Sequence, residues 1–173
     1  MKKIIFTLFL VNIWTLSIAQ DTLTQKIKEA DISIKLPNNQ WLLDQKIDRN
    51  GLTAYIFNRT SIIDSLGKNI SPSISIVIEG VDKNMDLVNF SIIKRTKRPF
   101  EVEKVFNYET GLINFKNAVG YQGNYFDGDS KHTIYVVHAI KNGKGIQIIC
   151  DATTSVFSKI NDEFLSTLKS FSD

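Results

Sequence analysis

The second half of the chain contains four segments with strand patterning that follow one another through short connections. They span residues 102–109, 117–126, 132–140 and 145–153. The last two are separated by Asn142-Gly143, a dipeptide that favours the tight turn of a β-hairpin. Parallel neighbours need a crossover of a dozen or more residues, and these connections are too short for one. The sequence therefore predicts an antiparallel sheet.

Further strands are predicted in the first half of the chain. Apolar and polar residues alternate over 32–36, and serine alternates with isoleucine at the start of 73–79. Asn50-Gly51 predicts another tight turn, after which 52–59 returns as a strand. The predicted sheet therefore contains strands from both halves of the chain.

Two segments have helical spacing instead. The first begins after Asn84 and is ended by Pro99, with Lys94, Lys97 and Arg98 on its solvent side. The second closes the chain as an amphipathic helix with an apolar stripe formed by Val156, Ile160, Phe164, Leu168 and Phe171. Together with the strands, the helices predict an α+β domain in which an antiparallel β-sheet is flanked by helices.

The N-terminal residues have the pattern of a secretory signal peptide. Met1-Lys2-Lys3 is basic, 4–10 is an unbroken apolar run, and Ser17-Ile18-Ala19 is suited to signal peptidase. The apolar stretch is shorter than the roughly 20 residues of a membrane-spanning helix. We therefore expect cleavage after residue 19, with Gln20 as the new N-terminus. Because Gln20 is not a cysteine, the protein is not expected to be a lipoprotein, and we predict a secreted or periplasmic location.

Net charge and cysteine content limit the possible partners and cross-links of the mature chain. Removal of 1–19 takes away two lysines and no acidic residue, so the formal charge of +3 falls to +1. This leaves no charge excess that would favour nucleic acid. A single cysteine, Cys150, can form no internal disulfide. We expect an irregular lead-in over 20–30 and one domain over 31–173, with a polar, irregular stretch at 60–71.

The histidines are not arranged for metal binding. His132 and His138 lie six residues apart on one predicted strand, so their Cα atoms are roughly 20 Å apart. Zinc ligands lie about 2 Å from the metal, and the two histidines therefore cannot share an ion. His132 stands at a strand start and is predicted to be solvated. We predict no metal site and no cofactor.

The single thiol is predicted to be an inert core residue. Cys150 shares a strand face with Ile146 and Ile148, where a thiol behaves as a small apolar group. Counting from the hairpin turn pairs it with a position near Tyr135 rather than with His138, the one histidine that could act as its base. We predict no catalytic residue, and the protein is not expected to be an enzyme.

Two groups of residues are candidates for a ligand or partner surface. A basic cluster at the end of the first helix is favoured there by the helix dipole and could also face an anionic partner. Several tyrosines lie on predicted strands, and an aromatic sheet face that the helices leave uncovered would form a groove. The candidate residues are Tyr55, Tyr108, Tyr121, Tyr125, Lys94, Arg95, Lys97 and Arg98.

The two ends of the domain resemble a known superfamily. Residues 32–41 (ISIKLPNNQW) are similar to the strand, proline and tryptophan at the start of the PsbP/Mog1/DcrB-like domains, and 161–171 (NDEFLSTLKSF) resembles their terminal helix. This resemblance implies an α-β-α sandwich around an antiparallel sheet. Members of the superfamily act as accessory subunits, partner-binding modules or proteins of unknown role, so the resemblance implies no catalytic residue and favours a non-catalytic role.

Two functional hypotheses follow. The first is a non-catalytic extracytoplasmic binding or accessory module, whose partner is a protein of the cell envelope. The alternative is a carrier or enzyme for a small apolar or aromatic ligand, held in a pocket between sheet and helices. After signal cleavage, neither hypothesis involves nucleic acid or a membrane-spanning segment.

Overall fold

The computed structural model describes residues 23–172, so the predicted signal peptide at 1–19 lies outside the described residues. The main element is a seven-stranded sheet in which all neighbouring strands are antiparallel. In chain order, its strands are β3 (Trp41–Arg49), β4 (Leu52–Arg59), β7 (Ser73–Gly80), β8 (Glu101–Asn107), β9 (Ala118–Asp127), β10 (Ser130–Lys141) and β11 (Lys144–Thr153). Their order across the sheet is β3-β4-β7-β11-β10-β9-β8. With two helices on this sheet, the predicted α+β class is confirmed.

Tight turns set the register of the hairpins. Asn142 and Gly143 both have positive φ, 50° and 71°, as the two-residue turn between β10 and β11 requires. Asn50 and Gly51, with φ of 52° and 76°, do the same between β3 and β4. The first of these turns places Tyr135 directly opposite Cys150, which confirms the predicted pairing.

One face of the sheet is covered by the C-terminal helix α2 (Thr154–Ser170). Its stripe packs on a sheet surface in which every second residue is fully buried, as in Ile146, Ile148 and Cys150, each 0% exposed. Trp41 packs on Phe164 and donates an indole hydrogen bond of 2.7 Å to Glu163. This layer of buried apolar side chains is the hydrophobic core of the domain.

A small hairpin extends the same layer. It consists of β1 (Thr24–Ile27) and β2 (Ile32–Lys35), and Ser33 also exchanges backbone hydrogen bonds with Ser172. The expectation of an irregular lead-in over 20–30 therefore differs from the structure at 24–27. Only Ile27 of this strand is buried, so its polar sequence gives no alternation to detect, and pairing with β2 stabilises it.

A second small hairpin lies between β4 and β7. The stretch 60–71, predicted to be irregular, contains β5 (Ile62–Ile63) and β6 (Asn69–Ile70), which pair with each other. Each strand has only two residues, which is too short for a periodic pattern in the sequence.

The opposite face of the sheet carries the shorter helix α1 (Leu87–Lys97). The Asp86 side chain caps its first turn by accepting a 2.8 Å hydrogen bond from the backbone N–H of Asn89. Only Phe90 and Ser91 of this helix are buried. An 11-residue helix with two buried side chains covers much less of the sheet than α2 does. Neither helix within 23–172 is long and apolar enough to cross a membrane.

Candidate functional site

A cleft of about 410 Å³ lies between the C-terminal end of α1 and the sheet surface. Its floor is formed by alternate residues of the two central strands, Ile134 and Val136 on β10 and Ile149 on β11. Phe100, just after the helix, forms a wall. The cleft exists because α1 stops at residue 97 while the strands beneath it continue.

Two glycines allow aromatic rings to sit directly on this face of the sheet. A Cβ atom at Gly145 would lie 2.5 Å from Cζ of Phe90, the ring that anchors α1. A Cβ atom at Gly123 would lie 2.6 Å from Cδ2 of Phe100. Real Cβ contacts are longer, so glycine at both positions fixes the height of the helix and of the wall above the sheet.

Beneath α1, three buried polar side chains form a chain of hydrogen bonds. Ser91 Oγ lies 2.8 Å from the Tyr121 hydroxyl and 2.9 Å from His138 Nδ1. Burial, together with the nearby charges of Lys94 and Arg95, lowers the pKa of His138 to about 4. His138 is therefore a neutral imidazole at neutral pH, and each of the three groups has a partner as a buried group requires.

The basic residues of α1 form the rim of the cleft. Lys94 is paired with Glu79 of β7, and its side chain is only 12% exposed. The guanidinium of Arg95 lies over the ring of Tyr121, 4.8 Å from its centroid. Lys97 and Arg98 are exposed. In the part of the chain that the structure describes, neither has a carboxylate within ion-pair distance.

A second polar cluster joins Tyr125 and Asp151, which line the cleft, to His132. His132 Nδ1 lies 2.8 Å from one carboxylate oxygen of Asp151, and the hydroxyl of Tyr125 donates to the other oxygen. Burial and the Asp151 carboxylate raise the pKa of Tyr125. The prediction of a solvated His132 is wrong. Its side chain is 19% exposed because the strand register places it diagonally across from Asp151.

The possible nucleophiles near the cleft are enclosed. Ser91 is 2% exposed, and its hydroxyl is hydrogen-bonded to both Tyr121 and His138. Cys150 lies on the opposite face of the sheet, fully buried, and burial raises the pKa of its thiol. The buried position of Cys150 is as predicted, and a raised thiol pKa disfavours the reactive thiolate. Among residues 23–172, no three His, Cys, Asp or Glu side chains are grouped to hold a metal ion.

The structure brings six of the eight candidate surface residues to this cleft. Lys94, Arg95, Lys97, Arg98 and Tyr125 line it, and Tyr121 lies beneath Arg95. Lys94 was expected on the solvent side of its helix, but the ion pair with Glu79 turns it toward the sheet.

The other two tyrosines lie elsewhere. Tyr55 contacts the α2-side core and donates hydrogen bonds to Glu29, which is also paired with Lys46. Tyr108 lies in a single 3-10 turn and is 44% exposed, with Lys116 over its ring.

Sequence reasoning did not single out Phe100, Asp151 or the floor residues of the cleft. Phe100 follows Pro99, where the helix pattern has ended and no strand pattern has begun. The pair of His132 and Asp151 becomes visible only with the register of β10 and β11. Counting from the turn at Asn142-Gly143 would have revealed it, as it did for Cys150.

No protein-family model matches the chain, and no curated protein matches it in sequence. Three solved structures are similar in fold at 13% sequence identity and a TM-score of 0.51. A Pseudomonas aeruginosa protein of unknown function, described as a putative regulator, covers 84% of this chain and 94% of its own. LpqN, described as involved in cell envelope biogenesis of Mycobacterium tuberculosis, covers 83% and 84%. The PsbP protein of Synechocystis, CyanoP, covers 86% and 90%. These likenesses confirm the predicted fold: the chain has the same α+β fold as these structures, the PsbP protein among them.

Proposed function

We propose that the protein is a non-catalytic extracytoplasmic binding module whose recognition site is the cleft beside α1. The observation that carries this proposal is the contrast between an apolar floor at Ile134, Val136 and Ile149 and a basic rim that includes Lys97 and Arg98. Small-molecule sites are concave, about 300–1,000 Å³ in volume, and mostly apolar with a few convergent polar groups. The cleft, at about 410 Å³, has this size and this composition.

A binding role rather than catalysis is supported by the state of the potential nucleophiles. A nucleophilic serine or cysteine needs access to substrate and a positioned base. Ser91 has a histidine neighbour, but both side chains are at most 2% exposed and lie beneath α1. The extracytoplasmic location is supported by the secretory pattern of residues 1–19. The fold is also shared with a protein involved in cell envelope biogenesis.

Native mass spectrometry tests the cleft as the recognition site. The protein is purified gently from its own host as wild type, as Ile149→Trp to fill the cleft, and as Leu42→Trp for comparison. Leu42 is 62% exposed on β3, far from the cleft lining, so this variant adds the same side chain elsewhere. We expect a bound small molecule in wild type and Leu42→Trp, and none in Ile149→Trp. An adduct that persists in Ile149→Trp would place recognition at another surface.

A second candidate function is binding of a protein partner of the cell envelope at the β3 edge of the sheet. Leu42, Leu43 and Ile47 of this edge strand are 62%, 52% and 40% exposed. Exposed apolar residues on a free strand edge are a feature of protein interaction sites. For this mode we expect a copurifying protein that is lost in Leu43→Lys and retained in Ile149→Trp. The reverse pattern would assign the partner to the cleft.

A further inference from the structure

The charged rim and the apolar floor of the cleft indicate which class of ligand it binds. Resting on the proposed function, we propose that the cleft binds a single-headed amphipathic anion. Its carboxylate or phosphate head lies at Lys97 and Arg98, and its apolar part lies over Ile134, Val136 and Ile149.

The charges around the cleft leave a net positive excess. Four cationic side chains line it, and one of them, Lys94, is neutralised by Glu79. Asp151 is the one carboxylate in the lining, which leaves three cations against one anion. Since Lys97 and Arg98 are exposed and have no ion-pair partner within 23–172, an incoming anion displaces no existing salt bridge.

Asp151, the one carboxylate in the lining, is already engaged in hydrogen bonds. One of its oxygens is bonded to His132 and the other to Tyr125. Each oxygen therefore has one partner, and the carboxylate keeps its negative charge in the count above. The positive residues at the end of α1 are therefore the groups available to a ligand head.

The rim is also pre-organised for a head group next to an apolar surface. The Arg95 guanidinium is positioned over Tyr121, and its Cζ lies 5.9 Å from the centroid of Phe100. These contacts restrict Arg95 to the boundary between the aromatic wall and the basic rim. Ile134 and Val136, each 5% exposed, present a short apolar floor directly beside that boundary. An anionic head joined to an apolar body matches both parts, whereas a simple inorganic anion matches only one.

Calorimetric titration of the purified protein tests this ligand class with matched probes. Sodium decanoate and decyl phosphate carry both chemistries and are used below their micelle concentrations. Decanol lacks the charge, and acetate and inorganic phosphate lack the apolar body. We expect the two decyl anions to bind more tightly than decanol by about tenfold, and more weakly at high salt. Shortening the chain from decanoate to hexanoate should weaken binding by at most about fourfold for each methylene.

Two charge-reversal variants distinguish the effect of a rim residue on binding from the effect of the protein's net charge. Arg98→Glu should weaken decanoate binding by about tenfold and leave decanol binding unchanged. Lys28→Glu makes the same change in net charge at an exposed position in the β1–β2 hairpin, outside the cleft lining, and should leave both affinities unchanged. Circular dichroism and thermal unfolding of each variant confirm that it is folded before binding is compared.

The outcomes distinguish the ligand class from the function on which it rests. Equal binding of decanol and decanoate, abolished by Ile149→Trp, would keep the cleft as the site and overturn the anionic class. Phosphate alone binding as tightly as decyl phosphate would also overturn it, because the apolar floor would play no part. Absence of binding by all probes, with a protein partner lost in Leu43→Lys, would overturn both this inference and the cleft as the recognition site.

Discussion

The two faces of the sheet are built differently although they share the same strands. On the α2 side, a 17-residue helix buries six of its residues against a continuous apolar layer. On the α1 side, an 11-residue helix buries two residues, and one of them is a serine. The helix there leaves part of the sheet open as a cleft.

Under the proposed function, this difference separates stability from binding within one small domain. Burial of apolar surface is the main favourable term in folding, and the α2 side contains most of it. The α1 side carries polar groups under its helix and cations at its rim, which we expect to contribute less to stability and, under the proposed function, more to recognition. Substitutions on the two faces should therefore differ in both size and kind of effect.

The largest effect is expected on the α2 side, for Phe164→Ala. Phe164 is 0% exposed, and its ring lies between Trp41 and Phe157, with centroids 5.6 and 5.5 Å away. Truncation of such a ring leaves a cavity and costs about 3–5 kcal/mol of the free energy of unfolding. Urea denaturation measures the change. A loss below about 1 kcal/mol would mean that the α2 layer is not the main source of stability.

The next effect is a pH dependence on the α1 side. The folded pKa of His138, about 4, lies below the usual histidine value of 6.5, so the unfolded chain takes up the proton first. Stability is therefore complete above about pH 6.5 and is lost as the pH falls toward 4. At 1.36 kcal/mol per pKa unit, the loss is about 3 kcal/mol. Unfolding titrations across this range measure it.

A matched variant isolates the histidine from the carboxylates that also titrate in acid. Glu163 is one such group. Burial raises its pKa, but hydrogen bonds from Arg59 and Trp41 outweigh that effect, and the pKa is lowered overall. His138→Gln removes the imidazole and keeps a polar side chain at this position. The variant should lose stability less steeply than wild type between about pH 6.5 and 4.5. An equal slope in both proteins would remove His138 as the cause.

A smaller effect is expected for Gly145→Ala. The added Cβ atom would lie 2.5 Å from Cζ of Phe90 and 2.8 Å from Cγ1 of Val81, so α1 must shift. Overpacking of this kind costs about 1–3 kcal/mol. As a control, Gly80→Ala adds a methyl group with no heavy atom within 4 Å. If Gly145→Ala were as stable as Gly80→Ala, α1 would not be tightly packed against the sheet at this position.

The α2 side was also the more predictable from sequence. Its helix has a regular apolar stripe. The strands are shared by both faces, and the turn at Asn142 and Gly143 fixes the register that places Tyr135 opposite Cys150 on the α2 side. Local periodicity and turn chemistry were sufficient there, because both are properties of short sequence segments.

The α1 side depends on contacts between segments that are distant in sequence. The pair of Lys94 and Glu79 joins a helix to a strand, and no periodic pattern links the two residues. The strand β3 runs from Trp41 to Arg49, but only Trp41 is buried, so its exposed residues give no alternation that would reveal the strand in the sequence. Sequence predicted the basic and tyrosine residues of the cleft, but only the fold brings them to one place.

The smallest effect is expected for Tyr125→Phe. This variant tests whether the polar groups of the cleft act mainly in recognition. Tyr125 donates its hydroxyl to Asp151, and the variant removes that hydrogen bond while keeping the ring. A hydrogen bond to a carboxylate that remains 23% exposed should contribute about 1 kcal/mol to the free energy of unfolding. Tyr108→Phe is the control, because Tyr108 is 44% exposed, and its loss should stay below about 0.5 kcal/mol. A loss of several kcal/mol for Tyr125→Phe, measured by urea denaturation, would make this cluster a structural element comparable to the α2 core, and the division between the two faces would not hold.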